Sequence, residues 1–443
     1  MSLFRFIQDR RGGIAPMFAL AIIPVFGLVG AAVDYSRANS VRTGMQSAID
    51  ATALAMAKLA PTLTQTELQT KATAYFNAMF NHPEAKNLVI TPTYTTAGGS
   101  QITISVSGSV DTSFMKIMGK SSLNIGSTST VKWGNTRLRV ALVLDNTGSM
   151  AMFGKMDALK TATNNLLTQL HNAATNSADV YVSIIPFAKD VNVGSSNNAA
   201  TWIDWTDWEK NNGTCSKGNG NNVTSSRTQS ACAAEGGNTT WTPASHSTWN
   251  GCVTDRGNST TPTGQDYDTS ADAPGSSANS KFAAEQYNAC PQAVLPLSNN
   301  WSSMTTLVNN MSPNGNTNQN IGLAHGWMSL VGGGPYPTPP AMDSNYTYQK
   351  VIILLTDGLN TENRWYTDQA SIDARQQLTC TAVKAAGITV YTVQVNTDGD
   401  PTSTLLQNCA STSDKFYLVT SSSGIGTIFN QIGTNLSKLR IAQ

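Results

Sequence analysis

From Gly12 to Val33 the chain runs 22 residues without one charged side chain. As an α-helix that stretch measures ~33 Å, enough to cross the hydrocarbon core of a bilayer. Arg5, Arg10 and Arg11 precede it, and Asp34 and Arg37 follow at once. The positive-inside rule therefore puts the N-terminus, residues 1–11, in the cytosol and everything beyond Asp34 on the other side. A cleaved signal peptide is the alternative, with Val29-Gly30-Ala31 as its cleavage site. The apolar run is longer than the signal core of about 7–15 residues, which favours a retained transmembrane helix over 12–33.

The apolar stripe continues past the membrane. Val41, Met45, Ala48, Ile49, Thr52, Met56 and Leu59 recur at helical spacing as far as Pro61, predicting a helical stalk over 34–60. Pro16 and Pro24 are tolerated within such a helix as kinks. Residues 61–134 read as a small α+β module of pilin-like outline. It has a helix over Thr66–Phe80 and strands over Leu88–Tyr94, Ile102–Val110 and Leu123–Val131, with Gly98-Gly99 turning before the second.

From 135 to 443 the pattern becomes α/β. Short apolar runs, Val140–Leu144, Val180–Phe187, Val351–Leu355, Ile388–Val395 and Phe416–Val419, are separated by helical stretches such as Met156–Leu170 and Ala374–Ala386. Continuous apolar strands alternating with helices predict a doubly wound, mainly parallel sheet. Between about 192 and 289 the periodicity lapses into a segment rich in Asn, Ser, Thr and Gly, read as an insertion that needs staples to be ordered.

Charge narrows the function classes. Only 12% of residues are charged, about half the usual share, and 28 basic against 27 acidic residues leave +1. No basic excess exists to neutralise phosphates, which argues against a nucleic-acid partner. The six cysteines form no CxxC and no zinc-finger spacing with histidine. Their even number allows three disulfides in an exported domain. Cys380 and Cys409 flank the Ile388–Val395 strand, and proximity pairs Cys215 with Cys232 and Cys252 with Cys290.

The informative cluster is Asp145-Asn146-Thr147-Gly148-Ser149-Met150, where a strand ends and a helix begins. Leu355-Thr356-Asp357-Gly358 sets a second carboxylate at another strand end, and Thr317 precedes a helix beginning near Ile321-Gly322-Leu323. Taken singly, such residues are turn and cap formers. Together they are a set of oxygen donors suited to a hard divalent ion, Mg²⁺ with Mn²⁺ or Ca²⁺ as alternatives.

Asp145-x-Thr147-x-Ser149, Thr317 and Asp357-Gly358 resemble the metal-ion-dependent adhesion site of von Willebrand factor A domains. The resemblance implies that Asp145 anchors the ion largely through water and that Thr147 and Ser149 ligate it directly. It further implies that Thr317 closes the shell when ligand binds, that Asp357 acts through water, and that a partner's carboxylate takes the open position. Thr147 stands where many members carry Ser, and the hydroxyl is retained. Asp9-Arg10-Arg11-Gly12-Gly13, the apolar helix and Val33-Asp34-Tyr35-Ser36-Arg37 are similar to the anchor of TadE/TadG-like proteins of the tight-adherence (Flp) pilus system. That resemblance implies a single-pass protein of the bacterial inner membrane whose C-terminal bulk lies in the periplasm among pilus-assembly components. Phe18 replaces the Glu that marks peptidase-processed pilins, so a retained anchor is expected.

Other features carry less. Trp202, Trp205 and Trp208 recur every third residue and read as the core of the insertion rather than a sugar platform. His82, His171, His246 and His325 are scattered without an HExxH, and His325 reads as packing. Thr305 and Thr306 are other hydroxyls near Thr317. Asn396–Pro401 resembles a calcium loop only superficially, with Pro401 where Gly is needed. No general base accompanies the cluster, so a non-enzymatic pilus-assembly component binding a protein partner is expected. A surface or secreted adhesin for matrix or glycan is the alternative.

Overall fold

A computed structural model describes residues 14–96, 99–133, 136–257, 269–344 and 346–441. The expected N-terminal segment 1–11, the Asp9–Gly13 motif and Gly98 of the turn lie outside the described residues. The chain divides into two compact units, one within 1–135 and one within 136–442.

In the first unit, helix α1 (Ile14–Ala57) runs unbroken through Pro24. Its N-terminal part exposes Phe18, Leu20, Val25, Phe26 and Leu28, the surface that a membrane would cover. Its second half is not a free stalk. Val41, Met45, Ile49 and Ala53 are fully buried, packed against helix α2 (Gln65–Met79) and a three-stranded antiparallel sheet. The strands are β1 (Ala85–Thr95), β2 (Ser100–Asp111) and β3 (Ser122–Trp133), with β2 central. The reason is periodicity: β2 turns Ile102, Ile104, Val106 and Val110 inward, and an amphipathic stripe and an alternating strand bury each other. Helix α2 opens on a reciprocal capping box between Thr64 and Glu67.

The second unit is a ten-stranded mixed sheet with helices on both faces. Strand β4 (Thr136–Asp145), helix α3 (Lys155–Ala173) and strand β5 (Val180–Phe187) begin it. The insertion follows with short pieces: β6 (Val191–Asn192), β7 (Ile203–Asp204), α4 (Thr206–Asn211), β8 (Gly213–Lys217), α5 (Gln229–Ala234), β9 (Thr239–Pro243), β10 (Cys252–Thr254) and β11 (Phe282–Ala284). Then come β12 (Leu295–Ser298), α6 (Trp301–Asn310), α7 (Gln319–Val331), β13 (Thr347–Thr356), α8 (Gln369–Ala385), β14 (Thr389–Val395), α9 (Thr404–Cys409), β15 (Phe416–Val419) and α10 (Ser422–Ile441). The sheet order is β15-β14-β13-β4-β5-β6-β10-β11-β7, with β12 also on β5. From β15 to β5 every pairing is parallel.

Along β4, Leu138, Val140, Leu142 and Leu144 face α3, α6 and α10, while Ala141 and Val143 face α7 and α8. Two fully apolar faces are what made this strand legible as a continuous run. Helix α7 sits so close that a Cβ on Gly322 would lie 2.7 Å from the Phe187 ring, and one on Gly326 2.6 Å from Val143.

The insertion is ordered by packing and by staples. Disulfides join Cys215 to Cys232 and Cys252 to Cys290, and a third joins Cys380 on α8 to Cys409 on α9. Trp208 and Trp249 are buried, and Trp205 stacks on His246 at 3.8 Å between centroids. The tryptophan cluster is therefore core.

His325 is buried within α7, with Nδ1 2.8 Å from the Tyr336 hydroxyl. Burial, and next the Arg256 charge, lower its pKa from 6.5 to about 3. Between those values the unfolded chain takes up a proton that the folded chain refuses. The stability is intact above pH 6.5 and is lost as pH falls, at about 1.4 kcal/mol per pH unit from this group. His325→Gln is expected to flatten that acid limb in urea melts, and a variant curve parallel to wild type would refute it.

Candidate metal centre

Strands β4 and β13 run side by side with Leu144 opposite Leu355, so Asp145 and Thr356 leave the sheet together. The strand order reverses between them: β4 leads outward to β5, and β13 leads outward to β14 and β15. Helices α3 and α8 depart on opposite faces. This is the switch point of a doubly wound sheet, where a crevice opens at the carboxyl ends of the strands.

Asp145 is fully buried. Its Oδ1 accepts hydrogen bonds from the Thr147 backbone at 2.8 Å and the Thr147 hydroxyl at 2.6 Å. Its Oδ2 accepts from the Thr356 hydroxyl at 2.6 Å. Thr147 Oγ1 lies 3.1 Å from Ser149 Oγ, which donates to Asp357 Oδ1 at 2.7 Å. Asp145, Thr147, Ser149 and Asp357 thus form one connected polar cluster across two strand ends.

The neighbouring loop is zipped to it through main-chain groups and the Asn146 side chain. Gly148 N donates to Gly315 O at 2.9 Å, Asn314 N to Asn146 O at 2.8 Å, and Asn146 Nδ2 to Ser312 O at 2.7 Å. Thr317 sits at the end of that loop. Its N donates to the Thr361 hydroxyl at 2.8 Å, and its carbonyl accepts from Thr361 N at 2.9 Å and Glu362 N at 3.3 Å, so these bonds do not run to the other four residues. Thr305 and Thr306 lie elsewhere, on α6 beside His171 and Trp301.

Three participants are not singled out as site residues by the sequence. Lys155, in the first turn of α3, is fully buried and donates to Asp357 Oδ2 at 2.8 Å and to Asp398 Oδ2 at 2.5 Å. Asp398 belongs to the loop that looked like a failed calcium site. Thr356 was visible only as the neighbour of Asp357. A lysine at a helix start reads as a solvated residue, and its partners stand 202 and 243 positions away.

Burial, and next the Asp357 carboxylate, push the Asp145 carboxyl up to about 7, against the hydrogen bonds from Thr147 and Thr356. Asp145, Asp357 and Asp398 carry three negative charges when ionised and Lys155 returns one positive, leaving the charge that one divalent ion would cancel. Among the described residues no group of three His, Cys, Asp or Glu side chains could hold a metal. The donors here are carboxylates mixed with hydroxyls, a set that suits a hard cation keeping part of its water. The residues fit such an ion.

Two family models match the chain: Flp pilus-assembly TadE/G-like over residues 12–58, and von Willebrand factor type A domain over residues 269–431. The pair is that of a TadG-like protein. The A-domain match takes in Thr317 and Asp357 but starts after Asp145, Thr147 and Ser149. The structure joins the earlier residues to it through the β4–β13 pairing. No curated protein matches the chain. Among solved structures, the pilus adhesin SpaC from Lactobacillus rhamnosus GG aligns at TM-score 0.36 and 14% identity over 82% of this chain and 35% of SpaC. The chain thus spans about a third of that relative. The vWF domain of the type V pili tip protein Mfa5 from Porphyromonas gingivalis gives 0.38 and 7%, over 71% of this chain and 98% of that one. Proximal thread matrix protein 1 from the mussel byssus, with a zinc-occupied MIDAS motif, gives 0.34 and 12%, over 69% and 46%.

Proposed function

We propose that this chain is a membrane-anchored, non-enzymatic component of Flp (tight-adherence) pilus assembly whose A domain grips a protein partner through a divalent ion. The carrying observation is the connected cluster of Asp145, Thr147, Ser149 and Asp357 at the switch point of the sheet. Thr317, on the loop zipped to it, would supply a further hydroxyl to hold the ion in the partner-bound form. The ion is Mg²⁺, with Mn²⁺ or Ca²⁺ as substitutes, and it supplies an electrophilic position for a partner carboxylate. The residues of the chain hold and orient that position: Thr147 and Ser149 supply neutral oxygens, and Asp145 and Asp357 supply the charge. Neutral hydroxyl donors would leave room beside the carboxylates for one more anionic oxygen.

Helix α1 anchors the chain in the bacterial inner membrane, and the bulk lies in the periplasm. Three disulfides support an oxidising compartment. Of the alternative, a surface or secreted adhesin for matrix or glycan, the sugar-platform argument is weakened, since Trp208 is buried and Trp205 is stacked within the insertion.

The test is co-purification with the other Flp assembly proteins of the same cell, from detergent extracts with Mg²⁺ or with excess chelator. Association is expected in Mg²⁺ and its loss in chelator and in Asp145→Ala. Equal recovery in all three samples would overturn the metal-dependent reading.

A further inference from the structure

Between β2 and β3 the chain makes a short 3₁₀ turn, Met115–Met118, and lays it along α1. Asp34, the first charged residue after the apolar run, holds it there. Its Oδ1 accepts from the Ser113 backbone at 2.9 Å, and its Oδ2 from those of Phe114 at 2.9 Å and Met115 at 2.8 Å. These are the N–H groups that a turn of helix leaves free at its start. Nearer the N-terminus of α1, Gly30 is buried under Phe114, where a Cβ would stand 2.4 Å from the Phe114 Cβ. At Gly27 a Cβ would come 3.3 Å from Met118 Sδ. Spacings of four and three residues put Asp34, Gly30 and Gly27 on one face of the helix. The turn therefore descends along α1 by seven residues, roughly 10 Å at ~1.5 Å each, into the stretch without charge.

The far side of this turn is bare and apolar. Phe114 is 46% exposed, Ile117 86% and Met118 69%. Leaving such side chains in water forgoes the gain of burying them. The adjoining surface of α1, with Val25, Phe26, Leu28 and Val29 exposed, is apolar too. Lys116 and Lys120 stand exposed beside the turn, suited to anionic headgroups.

We propose that the Phe114–Met118 turn is a second membrane contact, bedded in the headgroup–acyl boundary of the bilayer that α1 crosses. Its occupant is lipid, because its apolar surface continues that of the anchoring helix. Clamped by Asp34, the turn fixes the tilt of the first unit against the membrane, which a single helix leaves free. This inference rests on the reading of α1 as an anchor.

All six cysteines are paired, so one added thiol is labelled alone. The full chain, as Ile117→Cys, Val25→Cys or Thr93→Cys, carries an environment-sensitive fluorophore. It is reconstituted into phosphatidylethanolamine–phosphatidylglycerol vesicles containing lipids brominated near the headgroup and lipids brominated near the chain end. Thr93 is exposed towards the other end of the same sheet. Quenching at 117 approaching that at 25, with none at 93, is the expected result, and Asp34→Ala should lower quenching at 117 alone. Quenching at 25 with none at 117 overturns the proposal while the anchor stands, even if the 117 signal is shifted by protein contact. No quenching at 25 overturns the anchor and the proposal with it. Met118→Cys gives the same readout where the Ile117 variant folds poorly.

Discussion

Asp145→Ala is expected to abolish binding of Mg²⁺ and Mn²⁺ in isothermal titration of the full chain in detergent, while the fold survives. The expected loss exceeds the roughly 10–100-fold typical of outer-shell partners, because this carboxylate lies at the centre of the cluster. Survival of the fold follows from its cost. Asp145 is buried beside Asp357, and both effects disfavour its charge. Deleting it removes that cost along with three hydrogen bonds, so the melting temperature in chelator should change little. Asp145→Asn separates the two contributions: it keeps an oxygen for Thr147 and loses the charge, and it too should fail to bind. Wild-type titration heats in either variant would refute the assignment.

The second large effect is expected at Lys155. Its ammonium is fully buried between Asp357, also buried, and Asp398, partly exposed. Removing one partner of a buried pair costs about 3–5 kcal/mol, since the other charge stays behind. Lys155→Met should therefore destabilise the chelator-treated second unit by that order, most of it through Asp357, because Asp398 can rehydrate. The variant site carries one more uncompensated negative charge. Mg²⁺ should then raise the melting temperature of Lys155→Met more than that of wild type, as ligand linkage requires for tighter binding to the folded state. Equal Mg²⁺-induced shifts would show that Lys155 packs without tuning the site.

What could be read in advance follows from how far each interaction reaches along the chain. The strands of the second unit announce themselves because both faces are covered, so Val140–Leu144 and Val351–Leu355 are unbroken apolar runs. Asp145, Thr147 and Ser149 are local, and two strand ends were enough to suggest Asp357 as their partner. Short strands such as β7 and β10, of two and three residues, are too brief to show any period, so the insertion looked shapeless. The stripe on α1 was legible, but a stripe says only that something covers it. The three-stranded sheet that does so is encoded downstream. Lys155 and Asp34 were invisible as functional side chains because their partners lie far off in sequence.

The insertion has a consequence at the rims of the sheet. Strand β5 is eight residues long and would otherwise form an open rim. Instead β6 and β12 cover it, and the sheet runs out at β7, two residues long, with β15, four residues long, at the opposite rim. Rims so short give another chain almost no backbone to template on. The short strands around the insertion thus guard the sheet against edge-to-edge pairing.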